Sequence, residues 1–428
     1  MNNHLRKLVT IIMSFLSLAM LISCSHPGNG TGTNSSSDPA ATDRPARQPA
    51  DNEKPDLISA DNKYAAVPVY DKFGAWPAKK GETYYSSEVG TWFTVWWHEE
   101  GEPLYDRWYT LDQTRLKPVD YGYYCSGNED YLTSVFVRMN YIGIDFVLLD
   151  DTNGNQSDIT ANIYSCFRAA YKLNGFTPKL AIATGGAIRD NDDAKAQQED
   201  FDRYFKLSER YPDVFYRYEG KPFLVMYVAD HVDLRFEDAQ SRFTQRYGTG
   251  YVSWQRRTDN QELYTTQGNF AWVFDVQNEG TEVMGAQPGY NKYNGGSIDR
   301  ENGHHYIEQW LAAIKADPRI IMVPSYNDHA EETGWEATTP LKDARPGRQS
   351  SDTPGEDPYL YEKITEAYLA LRYGYIEGFY YKTEGTDQVF RCTDGYLESV
   401  SADSVPSTEP IILLPDGYIE WELNRHRG

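Results

Sequence analysis

Asp328, Glu331, Glu332 and Glu336 crowd four carboxyl groups into nine residues. They stand in the run Ser325-Tyr-Asn-Asp-His-Ala-Glu-Glu-Thr-Gly-Trp-Glu336, directly after the apolar stretch Ile320 to Pro324. Carboxylates held that close repel one another when ionised, so at least one must bind its proton more tightly than usual. A proton held near neutral pH is what a general acid delivers to a leaving group. Paired Asp/Glu carboxyls are the working parts of glycosidic bond cleavage, one protonating the leaving oxygen and one assisting at the sugar. A solvated acidic loop accounts equally well for the density in a chain with 63 acidic and 41 basic residues. Spacing alone leaves both readings open. Other chemistries lack their patterns. The eight His residues form no HExxH set, and there is no GxSxG elbow and no GxGxxG turn. No metal or organic cofactor is expected. The wide spacing of Cys125, Cys166 and Cys392 predicts neither a disulfide framework nor a metal site.

Such a cluster needs a scaffold. From about residue 90, short apolar β-rich runs alternate with helical segments. Strands are predicted at 92–97, 143–149, 179–183, 222–228, 251–254, 271–274, 320–324 and 375–381. Helices are predicted at 129–139, 158–173, 192–211, 236–247, 303–315 and 357–372. Continuous apolar strands imply a parallel sheet buried on both faces. The count and length predict an α/β fold, a (β/α)8 TIM-type barrel over 63–386 with a short C-terminal β-rich appendage over 387–428. In such a barrel functional residues sit at the C-terminal ends of the strands. Those ends carry Asp150, Asp151, Asp230, His231, Trp254, Gln255, Asp275, Asn278, Asp328 and Tyr381. Of these, Asp150, Asp151, Trp254, Asp275 and Tyr381 are candidates for holding a substrate, and the acidic cluster follows the seventh strand. Aromatic residues make up 14 % of the chain, including 34 Tyr and 10 Trp. Sugars stack their C–H faces on such rings, although core packing also consumes them.

The segment 324–336 resembles the S-F-N-E-W-H-E-G-T-x-I-E stretch of endo-α-mannosidases, glycoside hydrolase family 99, and related barrel enzymes. The likeness extends upstream. Gln287-Pro288-Gly289-Tyr290, then Arg300-Glu-Asn-Gly303 with Tyr306, Trp310 and Ala313, then Pro318, is similar to that family's P-G-Y … R-x-x-G-x-Y-x-x-x-W-x-x-A … P order. Looser matches are Trp92–Trp97, the region of Tyr121–Cys125, and Gly143-Ile144-Asp145. The resemblance implies that Glu331 is the general acid/base and that Asp328 is the base acting on the sugar 2-hydroxyl. It implies that Glu336 binds substrate, beside the retained Asn327, and Tyr290 and Tyr326 lie inside the matched segments. It further implies retention of anomeric configuration through a 1,2-anhydro sugar. Two departures stand out. Asp328 is one methylene shorter than the family's Glu, and His329-Ala330 replaces Trp-His. A misplacement of ~1 Å costs on the order of 10²-fold in rate. A lipoprotein that binds a glycan on the same barrel without cleaving it is therefore the alternative.

The N-terminus predicts where the domain works. Arg6 and Lys7 precede an apolar run, Leu8 to Ile22, which ends on Leu21-Ile22-Ser23-Cys24. That order reads as a cleavable secretory signal over 1–23, too short to span a membrane. It resembles the lipobox of bacterial lipoproteins, in which Cys24 carries the lipid. Residues 24–62 are rich in Ser, Gly, Asn, Asp and Pro and read as a flexible linker. The expected address is the cell envelope, at the outer membrane, with the membrane engaged through Cys24 alone. Losing Arg6 and Lys7 takes the net charge from -22 to -24. That excludes nucleic acid and anionic headgroups as partners. A neutral poly- or oligosaccharide is the expected substrate, and the chain is expected to be a monomer.

Overall fold

The computed structural model describes residues 59, 61–64, 85–98, 116–152, 157–184, 193–228, 251–256, 283–291, 297–340 and 357–419. Cys24, Asp230, His231, Asp275 and Asn278, the signal, nearly all of the linker, the helix read at 236–247 and the strand read at 271–274 lie outside the described residues.

Seven strands form one parallel sheet: β1 (Glu88–Thr94), β2 (Phe146–Asp151), β3 (Lys179–Thr184), β4 (Lys221–Val228), β5 (Tyr251–Arg256), β6 (Val283–Gly285) and β7 (Ile320–Val323). Their order is β5-β4-β3-β2-β1-β7-β6, and Arg217–Tyr218 adds a short antiparallel rung to β4. Helix α1 (Glu129–Ile142) follows β1, α2 (Ser157–Lys172) follows β2 and α3 (Asp193–Arg210) follows β3. Helix α4 (His304–Ala316) follows β6, and α5 (Leu360–Ala370) follows β7. Each parallel step needs a crossover, and the helices supply it.

Side-chain alternation divides the strands, among the described side chains, between two cores. Trp92, Phe146, Leu148, Ala183, Val225 and Met322 join an inner apolar cluster enclosed by the sheet. Their neighbours Phe93, Val147, Leu149, Ile182, Leu224 and Val323 face the helices in a larger outer cluster. Helix α1 shows how sequence sets an element. Asn128 caps it by accepting from the Asp130 and Tyr131 N–H groups at 2.9 and 3.2 Å. Gly143 ends it with φ 99°, a left-handed turn that glycine takes without strain. Tyr131, Leu132, Val135, Phe136, Met139 and Ile142 between them are buried.

Two expectations need correction. The stretch read as the eighth barrel strand is not in the parallel sheet. Tyr380–Thr383 (β8) belongs to a four-stranded appendage with β9 (Val389–Thr393), β10 (Tyr396–Val400) and β11 (Ile411–Leu414), in the order β10-β9-β8-β11. The appendage thus takes in Tyr380, ahead of the expected boundary at 387. The physical reason is visible in β8, where Tyr380 and Lys382 are half-buried and Tyr381 and Thr383 buried. Strands of a parallel sheet covered on both faces do not alternate in that way. The place beside β1 is instead filled by β7, paired from Glu88↔Ile320 to Thr91↔Val323. The second correction is β6, whose three residues Val-Met-Gly were too few to read as a strand. Among the described residues, Cys166 and Cys392 are free and buried. Among the described residues, no helix is long and apolar enough to cross a membrane.

The enclosed core leaves no room at Gly90. A Cβ there would lie 2.4 Å from the Phe146 ring, which itself stacks on Tyr216 at 4.0 Å. Gly90→Ala should therefore cost about 1–3 kcal/mol by overpacking. Chemical denaturation of the single variant, and of its combination with Phe146→Leu, checks this. Non-additive recovery in the double variant is the expected outcome.

Candidate active site

The acidic run is a folded-back loop at the C-terminal end of β7. Ser325 N–H donates to Thr333 O at 3.0 Å, Trp335 N–H to Ser325 O at 3.0 Å, and Glu336 N–H to Tyr326 O at 2.9 Å. The Ser325 and Thr333 hydroxyls meet at 3.0 Å. The loop opens on a cis Pro324–Ser325 peptide. Glu332 sits at φ 52° with its carboxylate accepting from Asn291 Nδ2 at 3.1 Å.

Asn327 fastens this loop to β1. Its Nδ2 donates to Thr94 O and to the Tyr124 hydroxyl, both at 3.1 Å. Its Oδ1 accepts from Thr94 N–H at 2.7 Å and from the Thr94 hydroxyl at 3.0 Å. An amide side chain has two donors and two acceptor lone pairs, so Asn327 is saturated. Its carbonyl also accepts from Trp97 Nε1 at 3.0 Å.

Asp328 is thereby held at the rim. Its N–H donates to Ser325 Oγ at 2.8 Å, and its Oδ1 accepts from the Ala330 and Glu331 N–H groups at 3.1 and 3.0 Å. Burial raises its pKa well above the usual carboxylate range, and the charges of Glu331 and Asp150 push the same way. Asp150 comes from β2, two residues beyond Leu148 on the enclosed side. Burial pushes it up to about 6, the Thr152 N–H bond to Oδ1 at 2.8 Å opposes this, and the charge of Glu331 adds to it. Glu331 is half-buried, the most open of the three. Asp150, Asp328 and Glu331 therefore meet at one end of the sheet, from two strands that flank β1.

Several expected ligands have other duties. Glu336 is a buried hub, accepting from the Tyr124 hydroxyl at 2.9 Å and the Tyr326 hydroxyl at 3.4 Å, with His329 Nε2 at 2.8 Å. Burial raises it well above the usual range; Glu362 and Asp120 add to this, while the Tyr124 hydroxyl opposes it. Both of those acids in turn pair with buried Arg138. Tyr326 is fully buried, stacked on Phe93 at 5.8 Å and edge-on to Trp335 at 4.7 Å. Asp151 has the opposite parity to Asp150 and takes the Tyr204 hydroxyl of α3, between sheet and helix. Tyr381 is buried in the appendage and accepts from Ile376 N–H at 2.9 Å. Tyr290 pairs with Ile298 in a two-residue ladder whose next residue, Asn291, donates to Glu331 O at 2.8 Å. The backbone of Trp254 lies in β5. Sequence reasoning missed Thr94, Trp97, Tyr124 and His329, which hold the loop. The alternation Trp92, Thr94 along β1 was the available signal for the first of these.

No family model matches the sequence, and no curated protein matches it. Among solved structures, the chain is similar to the family 99 endo-α-mannosidase from Bacteroides thetaiotaomicron. One structure aligns with TM-score 0.52, and one in complex with BIS-TRIS-propane with 0.51. In both, identity is 16 %, covering 67 % of this chain and 97 % of that one. The likeness assigns the fold of the sheet and its helices to the TIM-barrel type that those hydrolases have.

Asp150 carries a pH signature. An acid whose folded-state pKa lies above its unfolded value near 3.8 adds stability below that value and loses it as pH rises through about 6. The difference corresponds to ~3 kcal/mol. Asp150→Asn stays neutral and can still accept from Thr152. It should unfold at higher temperature than the parent at about pH 7–8, and the two should converge below about pH 4. Thermal melts across that range check this; parallel curves would contradict it.

Proposed function

We propose that the chain is a lipid-anchored glycoside hydrolase acting on a neutral, α-linked glycan. The observation that carries the reading is the convergence of Asp150, Asp328 and Glu331 on the C-terminal rim of a curled parallel sheet. Strand ends are where such folds place their chemistry. The barrel closes as (β/α)8 in this reading.

In the proposed mechanism Asp328 removes the proton of the sugar 2-hydroxyl, and O2 attacks the anomeric carbon. Glu331 protonates the departing glycosidic oxygen. Water then opens the 1,2-anhydro ring, giving its proton to Glu331, while Asp328 returns a proton to O2. Two displacements at one carbon retain configuration. The half-buried position of Glu331 supports exchange with leaving group and water. Three carboxylates at the rim favour an uncharged sugar over an anionic one. Acid, base and water suffice, so the reading calls on no cofactor.

One observation favours the second reading, a glycan-binding lipoprotein without turnover. Asp328 is short, and its Oδ1 is drawn back onto the N–H groups of Ala330 and Glu331.

A panel of neutral α-linked glycans, mannans first, decides between them. Glu331→Gln should lower turnover by at least ~10²-fold without shifting the unfolding temperature. Unchanged turnover would overturn the assignment of Glu331. Binding by the parent chain without product selects the second reading.

The proposed address is the outer membrane, with a monomeric domain on a linker and its lipid on Cys24. Cys24→Ser should move the chain from the membrane pellet to the soluble fraction of an exporting bacterial host. Peptide mapping that finds Cys24 in a disulfide would overturn the lipid assignment, because its sulfur cannot serve both bonds.

A further inference from the structure

Gln287 is 1 % exposed, and neither its Oε1 nor its Nε2 has a hydrogen-bond partner among the described residues. Buried amides are seldom left so, because the desolvation cost goes uncompensated. The contrast with Asn327, the saturated amide on the other side of β7, is sharp.

The position of Gln287 is fixed from both sides. Val283 belongs to the enclosed cluster, whereas Met284 and Ala286 belong to the outer one. The ladder continues past the strand, with Ala286 N–H donating to Met322 O at 2.9 Å. Parity therefore turns Gln287 to the enclosed side, just beyond the end of β6. Four residues later Asn291 is tied to the acidic loop, through its N–H on Glu331 O at 2.8 Å and its Nδ2 on Glu332 at 3.1 Å. Between them Gly289 lets the Arg300 side chain pass; a Cβ there would lie 2.4 Å from Arg300 Cγ. That arginine donates to Gly334 O in the same loop. Gln287 is thus held next to β7, whose following loop carries Asp328 and Glu331, in a run tied to β7 at one end and to that loop at the other.

We propose that Gln287 is a substrate-binding residue whose amide is reserved for two adjacent hydroxyls of a neutral sugar at the acidic rim. The inference rests on the glycosidase reading and deepens it by naming what the subsite takes. An amide presents a donor and an acceptor side by side. Adjacent hydroxyls offer the complementary acceptor and donor without a charge that Asp150, Asp328 and Glu331 would repel. A sugar lacking one of the two hydroxyls leaves the amide half-paired, which is how a buried polar group discriminates.

Gln287→Met keeps the volume and removes both polar atoms. We expect KM for neutral α-linked oligosaccharides, manno-oligosaccharides first, to rise at least tenfold, and Tm to stay level or rise. Calorimetric binding to the same probes reads the effect if turnover is absent. A lower Tm would show that the amide serves the fold and overturns the proposal. Unchanged KM and affinity overturn it as well. If the parent chain neither binds nor cleaves any probe of the panel, the glycosidase reading itself fails, and this inference with it.

Discussion

The rim depends on the clamp between Asn327 and the end of β1. Four hydrogen bonds from one amide join the loop after β7 to the backbone and hydroxyl of Thr94 and to Tyr124. β1 lies inside the sheet, paired with β2 on one side and β7 on the other, so whatever is fastened to it inherits the position of its neighbours. Asp328 is the next residue in the chain, and its own capping bonds to Ala330 and Glu331 carry that position three residues on. The clamp works because it is complete. A buried polar network with one unmet group is weaker than an apolar core, and here both donors and both acceptor positions of the amide are matched.

Behind the clamp lies a second layer of charge with a different purpose. Glu336 binds His329, Tyr124 and Tyr326, and the nearby Arg138 holds Asp120 and Glu362 from α5. Arginine inside a protein is tolerated when its fork is matched by carboxylates, and this one ties α1 to α5 beneath the loop. The rim itself runs against stability. Asp150 and Asp328 are buried near one another and near Glu331, which no fold would choose for cohesion alone. The layer of aromatic and ionic contacts offsets that cost.

The sequence was legible where one rule decided the outcome. Continuous apolar runs marked β2, β3, β4 and β7, since strands covered on both faces have no polar side to show. Density marked the acidic run as a whole, and the family resemblance singled out Asp328 and Glu331 within it. It failed where two rules competed. Tyr-Tyr-Lys-Thr at β8 looked like one more barrel strand, and only its pairing partners place it in the appendage. Val-Met-Gly at β6 was too short to stand out from a loop. Within the acidic run, spacing could not say which carboxyls look outward, because the run is an irregular hairpin with no fixed period. Glu336 and Asn327, candidate ligands by resemblance, bond within the protein to Tyr124, Tyr326, His329 and Thr94. Asp150 and Asp151 were separable in principle, since Phe146 and Leu148 set the phase of β2, and the enclosed side claims only Asp150.

The seam between β1 and β7 has a further consequence for how the chain reaches this state. Thr91 Oγ1 bonds Val323 O across 232 positions of sequence. A ribosome delivers β1 first and its closing partner last. Until then one edge of β1 presents unmatched backbone groups beside Trp92 and Phe93, the kind of edge that recruits other strands. Pairings this distant in sequence also form slowly, because the intervening loop must close before any contact repays it. The same seam that holds the acidic loop in place is thus the step at which an unfinished molecule is most open to misassembly, and it makes the waiting time of β1 a property that chaperones must manage.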